Sequence, residues 1–392
     1  MDLYTLGRVS AIAIKPLIIY FLINFVGIED GNAIAKTFVL IAIALILINT
    51  DIYRNYYINF FNRKKIYSSY SGFVIGTFIL SLLGSIIIFL IYKLYLSATY
   101  ALSILVALFF LSEKLADECL RFKLYAKDFQ GWGGKQLFKS AMIGVLSLII
   151  FLISDLNQVE VLLIIILVNF LVFGKYFPYN YFSRVYKSKF RNKIIYKSGF
   201  LYNFKHKKFL LLAIFTTSVS YIDRMIVLVA SPDKIAILIL IINCFSIMIM
   251  LFDFYYLSFK RQDFLTGKIS IKSALWGFEI WRILIIGAFV STVACFFILS
   301  TSVGAELVMI SDIIGIFSFQ LIACLSLIAY NILYWNNNIF LLIKTDIFFW
   351  LSFFAIQYLL FIADFGNEIL VAAGMIFLRF IYLSQQASKI RK

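Results

Sequence analysis

The sequence has very few of the residues that interrupt helices or build catalytic and metal sites. Among its 392 residues there are only three prolines, four cysteines and one histidine. The single histidine, His206, excludes a site with several histidine ligands and most histidine-based catalysis. The cysteines have no paired spacing and lie in or beside apolar runs. We therefore expect no disulfide framework, no metal site and no cofactor.

Charged residues are also scarce, and apolar residues take their place. Charged residues make up 14% and hydrophobic residues 63% of the chain, whereas a soluble domain has about 25% and about 45–50%. The apolar runs are long enough for membrane-spanning helices, unlike the short alternating strands of a membrane barrel. The first run follows Arg8 without a small-residue cleavage site, so we interpret it as a retained helix. The sequence predicts an all-α, multi-pass membrane protein.

About twelve apolar runs have the length of a membrane span. They cover residues 9–27, 33–52, 72–92, 98–118, 137–154, 159–177, 209–230, 234–254, 281–301, 307–333, 339–362 and 367–384. The loops between them are alternately basic and weakly acidic, and basic loops stay in the cytoplasm. This alternation places both termini in the cytoplasm. It also explains most of the net charge of +16 without a nucleic-acid partner, which we do not expect.

A long basic segment divides the spans into two sets of six. From Lys175 to Lys208 the chain has ten Lys or Arg residues and no acidic residue. We predict an N-terminal lobe over 1–177, a basic cytoplasmic linker over 178–208 and a C-terminal lobe over 209–392. In both lobes an acidic turn precedes the second span, which ends in an aspartate and tyrosines. Two repeats of six spans have the same orientation, and transporters built this way bind substrate between the halves.

Four features carry a resemblance to a known family. They are the acidic turn Val26–Gly31, the charged extension Asp117–Tyr125, the basic linker, and Asp223-Arg224 before the outer end of the seventh span. In these the chain resembles the polysaccharide flippases of the MOP exporter superfamily, which export O-antigen and capsule precursors. The resemblance implies that the chain moves an undecaprenyl-pyrophosphate-linked oligosaccharide across the bacterial inner membrane. It also implies alternating access through a cationic cavity between the lobes, with membrane lipids and other polysaccharide-assembly proteins as partners.

The anionic headgroup of such a substrate needs cations inside the membrane. Lys15 lies about six residues into the first span, about 9 Å from its cytoplasmic end, and Pro16 beside it removes a backbone donor. Arg8 lies on the same helix face and is a gating candidate. The alternative for Lys15 is a lysine that only extends to the interface.

The seventh span contains the other candidate substrate-binding residues. A helix over 209–230 would place the following five side chains in one polar stripe: Thr216, Thr217, Ser220, Asp223 and Arg224. Asp223 and Arg224 would point about 100° apart and be poorly placed to pair. Arg224 could also extend to the outer interface. Proton or sodium coupling through Asp223 is a further hypothesis. With Lys15, Arg224 would form a staggered pair of cations flanking one cavity.

The other polar residues have simpler interpretations. Asp51 and Asp253 end the second and eighth spans, and form either local ion pairs or a cytoplasmic gate. The charges from Glu113 to Arg121 are typical of a solvated helix extension. Arg379 is expected to extend to the interface, and Asn169 and Gln320 to join helices by hydrogen bonds.

Other functions compete with the flippase. A membrane polymerase or glycosyltransferase would need a substantial extracytoplasmic loop for its catalytic residues, and these loops are short. Gly131-Trp132-Gly133-Gly134 is too weak a pattern for a phosphate loop, so we do not expect an enzyme. An ion-coupled drug or small-solute exporter of the same superfamily is the nearer alternative, and it should have an apolar, acidic pocket instead of a cationic one.

Overall fold

The structure, a computed structural model, describes most of the chain. It covers residues 3–47, 67–125, 128–153, 156–174, 211–257, 271–336, 338–362 and 368–389, with a few isolated positions between them. Within these ranges the chain is helical and contains no strand. Eight of the described helices are long and apolar enough to cross a membrane. The protein is therefore an all-α protein with the helices of a multi-pass membrane protein.

The described helices before residue 175 are long. They are α1 (Leu3–Phe25), α2 (Ile28–Leu47), α3 (Tyr67–Leu90), α4 (Tyr100–Tyr125), α5 (Phe129–Ile153) and α6 (Gln158–Phe173). One π-helical turn, Ile91–Tyr95, extends α3. Asn157 caps α6 by accepting from two backbone N–H groups, and Glu160 bonds back to the Asn157 N–H, which fixes where this helix begins.

The helices after residue 210 vary more in length. They are α7 (Ile222–Ala230), α8 (Ile235–Phe252), α9 (Ile271–Leu275), α10 (Phe278–Thr301), α11 (Ile310–Trp335), α12 (Ile339–Ile362) and α13 (Glu368–Lys389). π-Helical turns over Ala213–Thr217 and Asp253–Leu257 precede α7 and extend α8. Gly304 adopts φ +85° in the turn before α11, a conformation that favours glycine.

The chain forms two compact units. The first contains Met1–Val26 and Leu40–Ala213, and the second contains Gly27–Val39 and Ile214–Lys392. The start of α2 thus belongs to the second unit, where the Asn32 side chain bonds both Asp233 O and the Ala236 N–H at 2.9 and 2.8 Å. The predicted lobes and their repeat remain predictions.

The first unit is built around two helix pairs, α1 with α5 and α4 with α6. The α1 and α5 backbones touch at Gly7 and Gly133, where a Cβ on Gly133 would lie 2.1 Å from the Leu3 oxygen. Phe21 also stacks edge-on against Phe151 further along both helices, so the two run parallel. Small residues at such contacts are typical of helix packing in membranes, which explains Gly7 and Gly133.

In the second unit, α8 packs against α10 and α11, and α11 packs against α13. The central helix α8 is buried along most of its length. Large apolar side chains instead cover the outward faces of the helices around it, as on α10 at Ile285, Phe289 and Phe296. An apolar outside of this extent is what a lipid environment requires.

Most of the predicted spans correspond to a continuous helix among the described residues. Eight correspond to the candidate spanning helices, which begin with Leu3–Phe25 and end with Glu368–Lys389. Three others correspond to α2, α4 and α6. The predicted span 209–230 is interrupted, as described below. The count of twelve remains a prediction.

Candidate functional site

A buried cluster of charges lies inside the first unit. Both Glu113 oxygens are engaged: Oε2 accepts from Lys15 Nζ at 2.9 Å, and Oε1 accepts from Lys139 Nζ at 2.8 Å. The Asn169 side chain also donates to Glu113 Oε1 at 2.9 Å and to Ser112 Oγ at 3.1 Å. The cluster therefore ties together α1, α4, α5 and α6. We call these four residues, Lys15, Glu113, Lys139 and Asn169, the lysine–glutamate cluster.

The sequence positions these side chains by local means. Close contact of α1 with α5 at Gly7 and Gly133 lets Lys15 and Lys139 reach one carboxylate. Pro16 cannot donate the helical hydrogen bond to the Ile12 carbonyl, so the backbone next to Lys15 is less constrained. The Lys15 ammonium also lies 5.7 Å from the centre of the Phe109 ring on α4, a favourable position for a cation.

The lysine–glutamate cluster has more positive than negative charge. Two lysines share one glutamate, and the charges that follow on α4 (Lys114, Asp117, Glu118, Arg121 and Lys123) add no negative charge, because they sum to +1. The Glu113 and Lys139 side chains are each 8% exposed, whereas Lys15 is 32% exposed. The Lys15 ammonium is therefore accessible to an anion that approaches the surface of the first unit.

The prediction of a solvated helix extension on α4 is wrong. Glu113, Lys114 and Glu118 are buried. Asp117 is partly buried, and it accepts from Arg121 at 2.8 Å and from Lys114 at 3.4 Å. The i, i+3 and i, i+4 pairs form as the spacing predicts, but Glu113, Lys114 and Glu118 are enclosed by other helices, whereas Asp117 and Arg121 are partly exposed.

An apolar cavity of about 160 Å³ lies beside these charges, between α3, α4 and α6. Val74, Phe78 and Phe170 are among its walls, and Lys114 and Glu118 also line it.

At the turn between α4 and α5, the exposed Asp128 binds Lys123 and the Gly131 N–H. The hydrogen bond from Lys123, helped by that from Gly131, lowers the pKa of Asp128. This pair lies outside the candidate spans and fixes the turn.

In the second unit the predicted polar stripe is interrupted. After the π-helical turn Ala213–Thr217 the chain turns at Ser220 and Tyr221, and α7 begins only at Ile222. Thr216 and Asp223 are buried whereas Ser220 is exposed, so one face does not hold them together. Trp350 Nε1 donates to the Phe215 carbonyl at 3.1 Å. The Thr217 side chain lies outside the described residues.

Asp223 and Arg224 do interact, contrary to the prediction. The Arg224 N–H donates to Asp223 Oδ1 at 2.8 Å, and Arg224 Nη1 lies 3.6 Å from the same oxygen. Gln320 donates to Asp223 Oδ2 at 2.5 Å, and Arg224 Nη2 donates to Ser246 Oγ at 3.1 Å. Both residues lie in the first turn of α7, which begins at Ile222, and backbone N–H groups in a first helical turn have no partner within the helix. As predicted, Gln320 and Asn169 form interhelical hydrogen bonds.

Arg379 does not extend to an interface. It binds Asp346 with two hydrogen bonds of 2.6 and 3.2 Å between α13 and α12. The Arg379 and Asp346 side chains are 6% and 0% exposed. A second pair, Lys234 with Asp312 at 2.6 Å, joins the turn before α8 to the start of α11.

The gating candidates are less defined. Arg8 lies over the Tyr4 ring at 5.1 Å, and Asp253 is exposed in the π-helical turn after α8. Asp51 lies outside the described residues, as does almost all of the 178–208 linker. Lys15 belongs to the first unit and Arg224 to the second, and their shared cavity stays a prediction.

Sequence reasoning missed Lys139 and the burial of Glu113. A signal was available, because Gln136, Lys139, Ser140 and Ser147 recur at helical spacing and form the buried face of α5. A polar stripe on an apolar helix predicts a polar partner, and for Lys139 that partner is Glu113.

Two ammonium groups beside one carboxylate can bind an anion. Among the described residues, no group of three or more Asp, Glu, His or Cys side chains is placed to hold a metal ion. No protein-family model matches the chain, and neither a curated protein nor a solved structure is significantly similar to it. The function is therefore argued from the residues.

Proposed function

We propose that this protein is a transporter for an anionic lipid-linked oligosaccharide. The substrate would be a glycan on undecaprenyl pyrophosphate, moved from the cytoplasmic to the periplasmic leaflet of the bacterial inner membrane. The observation that supports this most is the lysine–glutamate cluster, in which two lysines share one carboxylate. Ionisable groups inside a membrane bundle are costly and are usually kept for function.

The sign of the charge favours an anion. An exporter of cationic drugs would need excess carboxylate, but the lysine–glutamate cluster has excess ammonium. In the second unit, Arg224 is 16% exposed and close to Asp223 and Ser246, which offers a second cation. A diphosphate has several acceptor oxygens and could use both lysine and arginine donors.

The remaining parts of the proposal come from the sequence. We propose twelve spans in two lobes with a parallel repeat, both termini in the cytoplasm, and alternating access. Membrane lipids and other polysaccharide-assembly proteins would be partners. The protein would act as a transporter without catalysing a covalent change.

The leaflet distribution of the lipid-linked oligosaccharide tests the proposal. In cells lacking the protein, the oligosaccharide should accumulate in the cytoplasmic leaflet, and wild-type protein should restore export. Normal appearance in the outer leaflet without the protein would reject the flippase.

Variants in the same cells test the two cations. Lys15→Met and Arg224→Ala should abolish export, and Arg224→Lys should retain part of it. Lys93→Met is the matched control, because Lys93 contacts the Tyr100 ring and the Ala98 carbonyl at the other end of the first unit. Full export by Lys15→Met would remove Lys15 from the path.

A further inference from the structure

The lysine–glutamate cluster contains two lysines in unequal positions. Lys139 is as buried as the carboxylate it binds, and Asn169 supports the same Glu113 oxygen. Lys15 binds the other oxygen, and about a third of its side chain is exposed. Lys139 therefore holds Glu113 inside the bundle, while Lys15 extends from Glu113 to the surface of the first unit.

This inequality suggests that the two ion pairs have different roles. If Lys15 moved away, Glu113 would keep Lys139 and Asn169, so its charge would stay compensated. Removing one partner of a buried pair is costly only when the other charge is left alone. The long, flexible lysine stem allows the ammonium to change partners without backbone motion.

We propose that Glu113 is an internal counter-anion that the phosphate of the substrate displaces from Lys15. On binding, Lys15 exchanges the Glu113 carboxylate for a phosphate oxygen, and on release Glu113 takes Lys15 back. Lys139 and Asn169 hold the carboxylate in place throughout. The inference rests on the proposed function and assigns Glu113 as a positioning residue that sets how tightly the headgroup is held.

Exchange of partners at Lys15 makes a prediction that a long-range electrostatic effect of the Glu113 charge does not. Glu113 lowers the affinity of Lys15 for anions by competing for its ammonium, so its effect should require Lys15. A field effect would act on any bound anion, whether or not Lys15 is present. A double-mutant cycle separates the two because it measures whether the effects of two substitutions are independent.

The experiment uses the full chain, purified in detergent, and calorimetric titration with farnesyl pyrophosphate. Glu113→Gln should lower the Kd about tenfold, in the range expected for a close charge pair. Lys15→Met should raise the Kd about tenfold or more. In the double variant Lys15→Met/Glu113→Gln, the benefit of the glutamine should shrink to less than about twofold.

Two further ligands identify what is recognised. Farnesol, which lacks phosphate, should bind equally weakly to every variant. If the diphosphate alone is recognised, the Kd values for inorganic pyrophosphate should rank the variants in the same order as those for farnesyl pyrophosphate. If only the Kd values for farnesyl pyrophosphate show this order, the lipid chain contributes to binding.

A second substitution covers the case in which Glu113→Gln does not fold. Lys139→Met leaves Glu113 with Asn169 and with Lys15 as the one remaining lysine of the cluster. It should raise the Kd several-fold, and an unchanged or lower Kd would contradict the exchange. Equal effects of Glu113→Gln with and without Lys15, or no effect at all, would also overturn it. The proposed function would survive these results if cells still need the protein for export, and it would fail separately if they do not.

Discussion

The two units both bury charged side chains, but they neutralise them differently. In the second unit, Arg379 and Asp346 form a one-to-one pair with two hydrogen bonds, and both side chains are almost fully enclosed. In the first unit, two lysines divide one glutamate, and one of them is partly exposed. A closed pair mainly fixes two helices relative to each other, whereas an open, unequal cluster can exchange a partner. The difference predicts separate effects on stability and on transport.

The largest effect on stability should come from breaking the closed pair. Arg379→Met leaves Asp346 buried without its guanidinium and should cost about 3–5 kcal/mol, measured by thermal unfolding in detergent. The double variant Arg379→Met/Asp346→Leu should recover much of this loss, because an apolar pair needs no compensation. A double variant as unstable as the single one would show that the pair does more than neutralise charge.

A smaller loss should follow from separating α1 and α5. A Cβ on Gly133 would lie 2.1 Å from the Leu3 oxygen and 2.6 Å from the Tyr4 Cα, so Gly133→Ala should cost about 1–3 kcal/mol. The control is Gly134→Ala, where a Cβ would meet nothing within 4 Å. Equal stability of the two variants would mean that this contact adapts easily.

Lys15→Met sharpens the comparison because it should hardly affect folding. The Lys15 side chain is 32% exposed and Glu113 keeps Lys139, so the free energy of unfolding should change by less than about 1 kcal/mol. Export should nevertheless be lost. Thermal unfolding of the purified variant measures its stability, and the cell assay measures its export. A stability loss as large as that of Arg379→Met would mean that the lysine–glutamate cluster is as important for folding as the Arg379–Asp346 pair.

The smallest effect should be at the exposed pair outside both clusters. Asp128 is 46% exposed where it binds Lys123, so Asp128→Asn should change stability by less than about 0.5 kcal/mol. Because the folded pKa is lowered, any contribution is present above the unfolded pKa and disappears as the pH falls through the folded pKa. Unfolding measured at neutral and at acidic pH would detect it.

The sequence predicts the fold class well because apolar runs of spanning length are direct evidence of helices in lipid. It also selects Lys15, since a lysine inside such a run is rare. It does not reveal that Glu113 is buried, because the charge spacing on α4 is the same for a solvated face and for a face that meets another helix. The distinction depends on α5, which lies later in the chain and presents Lys139 to that face.

The second unit illustrates a different limit. An unbroken helix over 209–230 would place Ser220 on the same face as Thr216 and Asp223. The turn at Ser220 and Tyr221 separates them instead. No proline or glycine marks that turn. The sequence predicts Arg379 at an interface because it lies near the end of an apolar run, whereas its partner Asp346 is on a neighbouring helix.

The ion pair of Lys15 with Glu113 also bears on biosynthesis. The two residues are 98 positions apart, so at about 5–20 residues per second α1 is made about 5–20 s before its carboxylate exists. During that time the long lysine stem allows the ammonium to reach water at the membrane surface. The ion pair that joins α1 to α4 can therefore form only after α4 has been made.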